Sequence, residues 1–249
     1  MASYEHTKNP EVLDRLESIY STYSFCPINS YWIDRVEPDG TKLSFDVTLN
    51  HQIWFAAGLK LLLNHRSKEK LKKQLLSFIS QLKKHMVSHK SSLIRHHLAI
   101  NNSILKDNIR RFIRPQYKVD MLKKEYGYHY FNLLGLYILD EKEIIYNDKK
   151  IIIDSDGFVN SKYGSGYNPL YFEAAAILSH DKNVSNDKVL ELFNKQFSEH
   201  WQQDSFSFSR NTNDGCTLNA RLYEVLYLNP KFIDIIKFDV NASQWKLYD

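Results

Sequence analysis

Apolar residues follow two different rhythms along this chain. In the first, four short stretches are apolar on nearly every side of a helix: Asn50 to Leu59, Tyr128 to Leu136, Asn168 to Ile177 and Asn219 to Tyr227. A helix apolar all round is buried. Each stretch opens on polar or aromatic groups, and a polar opening on a buried helix fits the mouth of a pocket. In the second rhythm the apolar residues keep to one face. Between Ser67 and Val87, Leu71, Leu75, Phe78, Ile79 and Leu82 line one side and lysines the other, the spacing of a half-buried helix. Asp187 to His200 reads the same way. Asn9 to Tyr23 reads as a first helix with Pro10 in its first turn, and Ser91 to Arg114 as a helix that stops before Pro115. Ser30 to Asp46 reads as extended, turning at Pro38-Asp39-Gly40. Ile144 to Tyr146 and Ile151 to Ile153 suggest a small hairpin around Asn147-Asp148.

The buried stretches recur at related distances. Gly58 and Gly135 are 77 residues apart, and Asn168 and Asn219 are 51 apart. A period of about 40 residues per helical pair accommodates these spacings, with one pair hidden near residues 90–110. Buried helices alternating with amphipathic ones make an inner and an outer layer. The expected fold is therefore mainly all-α: one domain, 1–249, of α/α toroid type, an incomplete six-hairpin ring with a small β-hairpin. The rival is an irregular helical domain whose buried helices resemble one another only in composition. Gly127, Gly164, Gly166 and Gly215 each precede a buried stretch, where glycine permits a tight turn and close approach of a ligand.

Composition narrows the class. The chain has 249 residues, 43% of them hydrophobic, enough for a packed core. The two cysteines, Cys26 and Cys216, make no disulfide framework and have no metal-ligand spacing. The N-terminus has no apolar signal region, and the run from Ile53 to Leu63 is too short to span a bilayer. A cytoplasmic location is the expectation, a removed signal aside. The net charge of +4 hides a segregation: Lys60 to Lys124 holds 17 basic against 3 acidic residues, a balance of +14, and the remainder carries −10. Such a segment is either a solvated outer face or a field that attracts an anionic polymer.

The polar openings supply the candidate site residues: Asn50, His51, Gln52 and Trp54; Tyr128, His129 and Tyr130; Tyr167, Asn168 and Tyr171; Asn219 and Arg221. Helix N-termini favour anions there. Asn50, Asn168 and Asn219 are also ordinary cap residues. Glu173 and Glu224 fall at matching depths in apolar surroundings, so they must pair or neutralise. They are either an acid and a base or bonds between helices, with the structural role preferred.

Asn50-His51 followed by Trp54, Ala57 and Gly58-Leu59 resembles the Asn-His helix of the toroid polysaccharide lyases, the alginate-lyase and heparinase II/III-like families. Asp156-Gly157-Phe158, then Gly164 to Tyr167, then Tyr171-Phe172-Glu173 running into Ala174 to Leu178, resembles their second motif. The resemblance implies β-elimination on a uronate-containing polymer, the acidic polysaccharide or oligosaccharide being the partner; separately, no cofactor and no metal are expected. That reaction needs a neutralised carboxylate, a base for the C5 proton and an acid for the leaving oxygen. The resemblance assigns these to Asn50, to His51 (with His129 as a second base or a binder), and to Tyr167 or Tyr171. The family's arginine before that tyrosine is absent, only Lys162 lying nearby, and Arg221 is the available substitute.

Two alternatives stand beside the lyase. One is a glycoside hydrolase using Glu173 with Glu224, or Asp46 with Asp156. The other is a non-catalytic glycan- or partner-binding protein of a polysaccharide pathway. No zinc-finger, RNP, KH or helix-turn-helix pattern appears, which argues against nucleic acid, and no phosphate-loop or dinucleotide fingerprint is present. His85, His89, His96 and His97 read as surface histidines of a lysine-rich segment rather than metal ligands.

Overall fold

The computed structural model describes residues 7–32, 35–36, 41–43, 46–141, 171–212, 215–239 and 244–248. They are mainly helical, as the sequence predicts. Contacts divide the chain into two compact units, Met1–Lys118 with Gly135–Lys142, and Val119–Leu134 with Glu143–Asp249.

The first unit opens with α1, Pro10–Thr22. Its N-cap Asn9 accepts from the Glu11 amide, and Pro10 occupies the first turn, where its missing N–H costs nothing. Strand β1 (Phe25–Cys26) pairs antiparallel with β2 (Tyr31–Trp32), and β3 (Arg35–Val36) with β4 (Lys42–Leu43). The turn predicted at Pro38-Asp39-Gly40 lies outside the described residues. Helix α2, Leu49–Leu63, is the first all-round apolar stretch. It packs against α1 and against α3, Glu69–His85. As the spacing predicts, α3 turns Leu71, Leu75, Phe78 and Leu82 inward. Trp32 stacks at 4.8 Å from Phe55 and 5.2 Å from Phe78, which joins β2 to both helices.

The helix predicted from Ser91 starts twelve residues later, as α4, Ser103–Ile113. Residues 85–99 instead bond as irregular extended chain: the Ala99 amide donates to the His85 carbonyl at 2.7 Å and the Arg95 amide to that of Val87 at 2.8 Å. Asn101 and Asn102 then take φ of 51° and 60°, left-handed values that asparagine tolerates best after glycine. His85 is buried at the end of α3, not on the surface. Burial lowers its pKa, more strongly than its hydrogen bonds raise it.

Helix α5, Pro115–Ile138, contributes to both units. The stretch expected as a separate helix from Tyr128 is its second half. Pro115 does stop α4, but at a first helical position it also starts α5. Gly127, expected in a turn, lies inside this helix. Gly135 is needed for packing: a Cβ there would collide with the Ile53 side chain and come within 3.5 Å of Trp54. Gly135→Val is therefore expected to destabilise by about 1–3 kcal/mol, read as a lower thermal midpoint. An unchanged midpoint would show that α2 yields freely.

In the second unit α6, Tyr171–Ser179, packs along α7, Asn186–His200. All of α6 from Tyr171 to Leu178 is buried, and Ser185 caps α7 through the Lys188 amide. Strands β5 (Trp201–Gln202) and β6 (Ser207–Phe208) form a short antiparallel pair. A cluster of Phe172, Phe193, Phe197, Phe208 and Trp245 fills the core, with ring centroids 5.1 to 5.8 Å apart. The unit ends with α8 (Gly215–Ala220), a 3-10 helix (Arg221–Tyr227), α9 (Pro230–Ile235) and the hairpin β7 (Ile236–Asp239) and β8 (Gln244–Leu247).

The fourth apolar stretch departs from expectation. It is not one buried α-helix but α8 passing into the 3-10 helix. With three residues per turn, Arg221 and Glu224 share the inward side, while Leu222 and Leu226 face out, Leu226 at 72% exposure. The hairpin expected at 144–153, with Asp156, Lys162, Gly164, Gly166, Tyr167 and Asn168, lies outside the described residues.

Candidate functional site

In the first unit the chain enters α2 through an Asp turn. One Asp46 carboxylate oxygen accepts from the Thr48 amide at 2.9 Å and the other bonds His51 Nδ1 at 2.6 Å. The entry is held from both sides. The Leu49 amide donates to the His96 carbonyl at 2.8 Å and the Leu98 amide to the Val47 carbonyl at 2.9 Å. Buried Gln52 completes the clamp: its Nε2 donates to the carbonyls of Trp32 (2.9 Å) and Asp46 (3.0 Å), and its Oε1 accepts from the Trp32 amide at 3.0 Å.

His51 sits on this scaffold with its side chain 54% exposed, while that of Asp46 is 9% exposed. Burial pushes the Asp46 carboxyl up, but hydrogen bonds from His51 and Thr48 outweigh it and hold it below the usual carboxylate value. An ionised Asp46 puts the imidazole proton on Nδ1 and leaves the Nε2 lone pair as the reactive one. Asn50, one residue earlier, is buried, and its Oδ1 has no partner among the described residues. It is a first-turn residue of α2; Thr48 occupies the cap position.

The second unit holds a different constellation. Glu173 on α6 and Arg221 on the 3-10 helix form a buried ion pair, and Glu224 adjoins Glu173 with no exposed surface. Burial raises Glu173, with Arg221 opposing. Burial and the neighbouring Glu173 raise Glu224 well above the ordinary carboxylate range. Glu224, raised well above the ordinary range and without a cation of its own, is therefore the neutral member, while Glu173 is the one that pairs with Arg221. The guanidinium of Arg221 also lies 4.8 Å over the ring of Phe131. One carboxylate pairs and the other neutralises, as apolar surroundings require. Both carboxyls are wholly buried and Glu173 is taken up by Arg221, so the pair presents no accessible carboxylate to a glycosidic bond.

The other candidates in this unit are also committed to the fold. His129 and Tyr130 have no exposed surface, and Tyr128 is half-buried against Phe131. Asn219 clasps β6: its Oδ1 accepts from the Phe208 amide at 2.7 Å, and its Nδ2 donates to the Gly215 carbonyl at 2.7 Å. Buried Tyr171 points its hydroxyl at Glu199, 3.4 Å away, and burial followed by that carboxylate pushes its pKa up. His51, Asn50, Gln52 and Trp54 thus belong to the first unit, and Tyr171, His129 and Arg221 to the second. Asp46 as the partner of His51 is a role the sequence reading missed. Its signal is Asp46-Val47-Thr48 ahead of a helix, an Asp-turn signature.

Grooves among the described residues include one of about 370 Å³ between α1 and the start of α3 and one of about 490 Å³ beside α9. Neither is lined by His51. Among the described residues no three His, Cys, Asp or Glu side chains are placed to hold a metal ion, and no helix is long and apolar enough to cross a membrane.

These features define a mainly helical protein with a half-exposed histidine held by a buried carboxylate and, separately, a buried Glu–Arg–Glu network. No family profile and no solved structure matches the chain. It is 28% identical over 240 residues to a protein of Haloferax volcanii named archaeal glycosylation protein Q, in an alignment covering 85% of this chain and 64% of that relative. The chain thus spans a little under two thirds of the relative's length.

Proposed function

We propose that this chain works in a glycan pathway as a carbohydrate-active enzyme that removes a proton from an acidic sugar by β-elimination, with His51 as the base. The observation that carries the reading is the Asp46–His51 pair: a buried carboxylate holds the ring through Nδ1 while the side chain remains about half exposed. The name of the Haloferax volcanii relative supports the glycan pathway, and the likeness of the Asn50-His51 helix to the lyase motif supports the reaction. Asn50, on the same unit as His51, is assigned to the sugar carboxylate. With this goes the toroid reading of the fold, supported by the all-round apolar helices α2 and α6 and the buried half of α5.

The test is incubation with alginate and polygalacturonate, following absorbance of the new C4–C5 double bond. The wild-type chain is expected to raise it and His51→Ala to abolish the rise. New reducing ends without that absorbance would replace the lyase with a hydrolase. A second reading, glycan binding without turnover, is favoured by one observation: Arg221, the available substitute for the family's arginine, is spent on Glu173. Saturable binding of either polymer with neither product would establish it.

A further inference from the structure

Helix α4 is mounted with its polar side inward. The residue it buries is Asp107. Leu105, Ile109, Phe112 and Ile113 are all exposed, Phe112 at 89%. Their spacing of i, i+4, i+7 and i+8 makes one continuous apolar stripe, facing solvent where a core helix would face protein.

This orientation is built, not loose. Asp107 accepts from Arg95, from Arg111 Nε at 2.8 Å and from the Tyr117 hydroxyl at 2.9 Å. Arg95 also donates to Asn108 at 2.8 Å. Burial pushes the Asp107 carboxyl up, but these bonds prevail and keep it below the ordinary value, so it is the ionised anchor of the set. Rolling α4 to bury its stripe would break the bonds from Arg95 to Asp107 and Asn108 and from Tyr117 to Asp107, whose donors lie outside the helix, and would leave buried charges unpaired. The stripe is thus held outward by the network behind it.

Charge says what the stripe faces. Lys106 and Arg110 run along one edge of it, and Arg114 and Lys118 follow at its C-terminal end, all exposed. The sole carboxylate of α4 is the inward Asp107. An apolar face with a cationic border and no exposed acid on its own helix is complementary to an anionic, apolar-centred surface. A second copy would bring the same cations to the rim with no anion to answer them. At 11 residues the helix is about half the length of a membrane span, so the contact is superficial.

We propose that α4 docks this unit onto a lipid bilayer carrying anionic headgroups, with Phe112 and Ile109 entering the acyl boundary and Lys106, Arg114 and Lys118 meeting the headgroups. The inference is independent of the chemistry assigned to His51. Co-sedimentation of the full chain with phosphatidylcholine vesicles, with and without about 30% phosphatidylglycerol, tests it. The chain is expected to pellet with the anionic vesicles, to remain in solution with the neutral ones, and to be released by about 0.5 M salt. Phe112→Ser, at a position that packs against little, is expected to weaken binding about thirtyfold, and Lys106→Glu with Lys118→Glu to abolish it. The inference is overturned if the wild type ignores both vesicles or if Phe112→Ser binds as well as wild type. It is equally overturned if size-exclusion chromatography shows a dimer that Phe112→Ser dissociates, since a second copy would then cover the stripe.

Discussion

Arg221→Met is expected to lower the stability of the chain by about 3–5 kcal/mol, the cost of breaking a buried ion pair from one side. Arg221 is the cation beside Glu173 and Glu224, both wholly buried. Without it Glu173 must stay ionised among apolar groups or take up a proton. The deficit should therefore shrink as pH falls and both carboxyls become neutral. The wild type has a milder dependence of the same sign. Both glutamates are raised above the ordinary 4.5, so the folded state keeps protons that the unfolded state releases. Their contribution is fully present below about 4.5 and is lost as pH rises toward the raised folded values. Glu224→Gln cannot ionise but still offers a donor to Glu173, so it should flatten the profile and leave stability at neutral pH nearly unchanged. Arg221→Met with Glu173→Gln should recover most of the single loss, because no buried charge remains. Urea denaturation of the four proteins across a range of pH decides. A loss for Arg221→Met below about 1 kcal/mol, unaffected by pH, would show that water reaches the pair.

That network was half legible in the sequence. Glu173 and Glu224 stand out because a carboxylate inside an apolar helix demands a partner, and the demand alone implies pairing or neutralisation. Which residue answers depends on the local backbone. Arg221 and Glu224 face the same way only because the segment winds as a 3-10 helix with a threefold period, whereas its apolar content reads as an α-helix. Helices α1, α3 and α7 were legible for the opposite reason: their burial follows one period, and starts such as Asn9-Pro10 and Ser185 carry local signals, while α2 was legible because it is apolar on nearly every side. Residues 91–102 were misread because irregular extended chain that donates to the carbonyls of Val47, His85 and Val87 leaves no alternation, and because the left-handed Asn101 and Asn102 look like any polar pair. Helix α4 shows a further limit. Periodicity finds its apolar stripe but not the direction in which that stripe points, which the bonds from Arg95 and Tyr117 to Asp107 decide. The Asp46–His51 contact joins residues five apart through a turn and a helix start, so helical spacing does not reveal it.

Asp46→Asn is expected to reduce proton abstraction about 10²–10⁴-fold while leaving the fold in place. The retained Oδ1 can still accept from the Thr48 amide, so the turn into α2 survives. The new amide nitrogen, however, faces His51 Nδ1 as a donor and forces the imidazole proton onto Nε2. The nitrogen that should take the substrate proton is then already occupied. His51→Ala should cost at least as much, and added imidazole should restore part of its turnover but none of that of Asp46→Asn, whose ring still fills the position. Rescue by imidazole separates a base from a packing residue, because filling a cavity does not depend on a free lone pair. Gln52→Leu provides the positioning control. It removes the clamp on the Asp46 carbonyl and on Trp32, so it should lower turnover and the thermal midpoint together, whereas Asp46→Asn should lower turnover far more than the midpoint. Full turnover by Asp46→Asn would remove the carboxylate from the mechanism. It would leave His51, if needed at all, as a ligand for the sugar rather than the group that takes its proton.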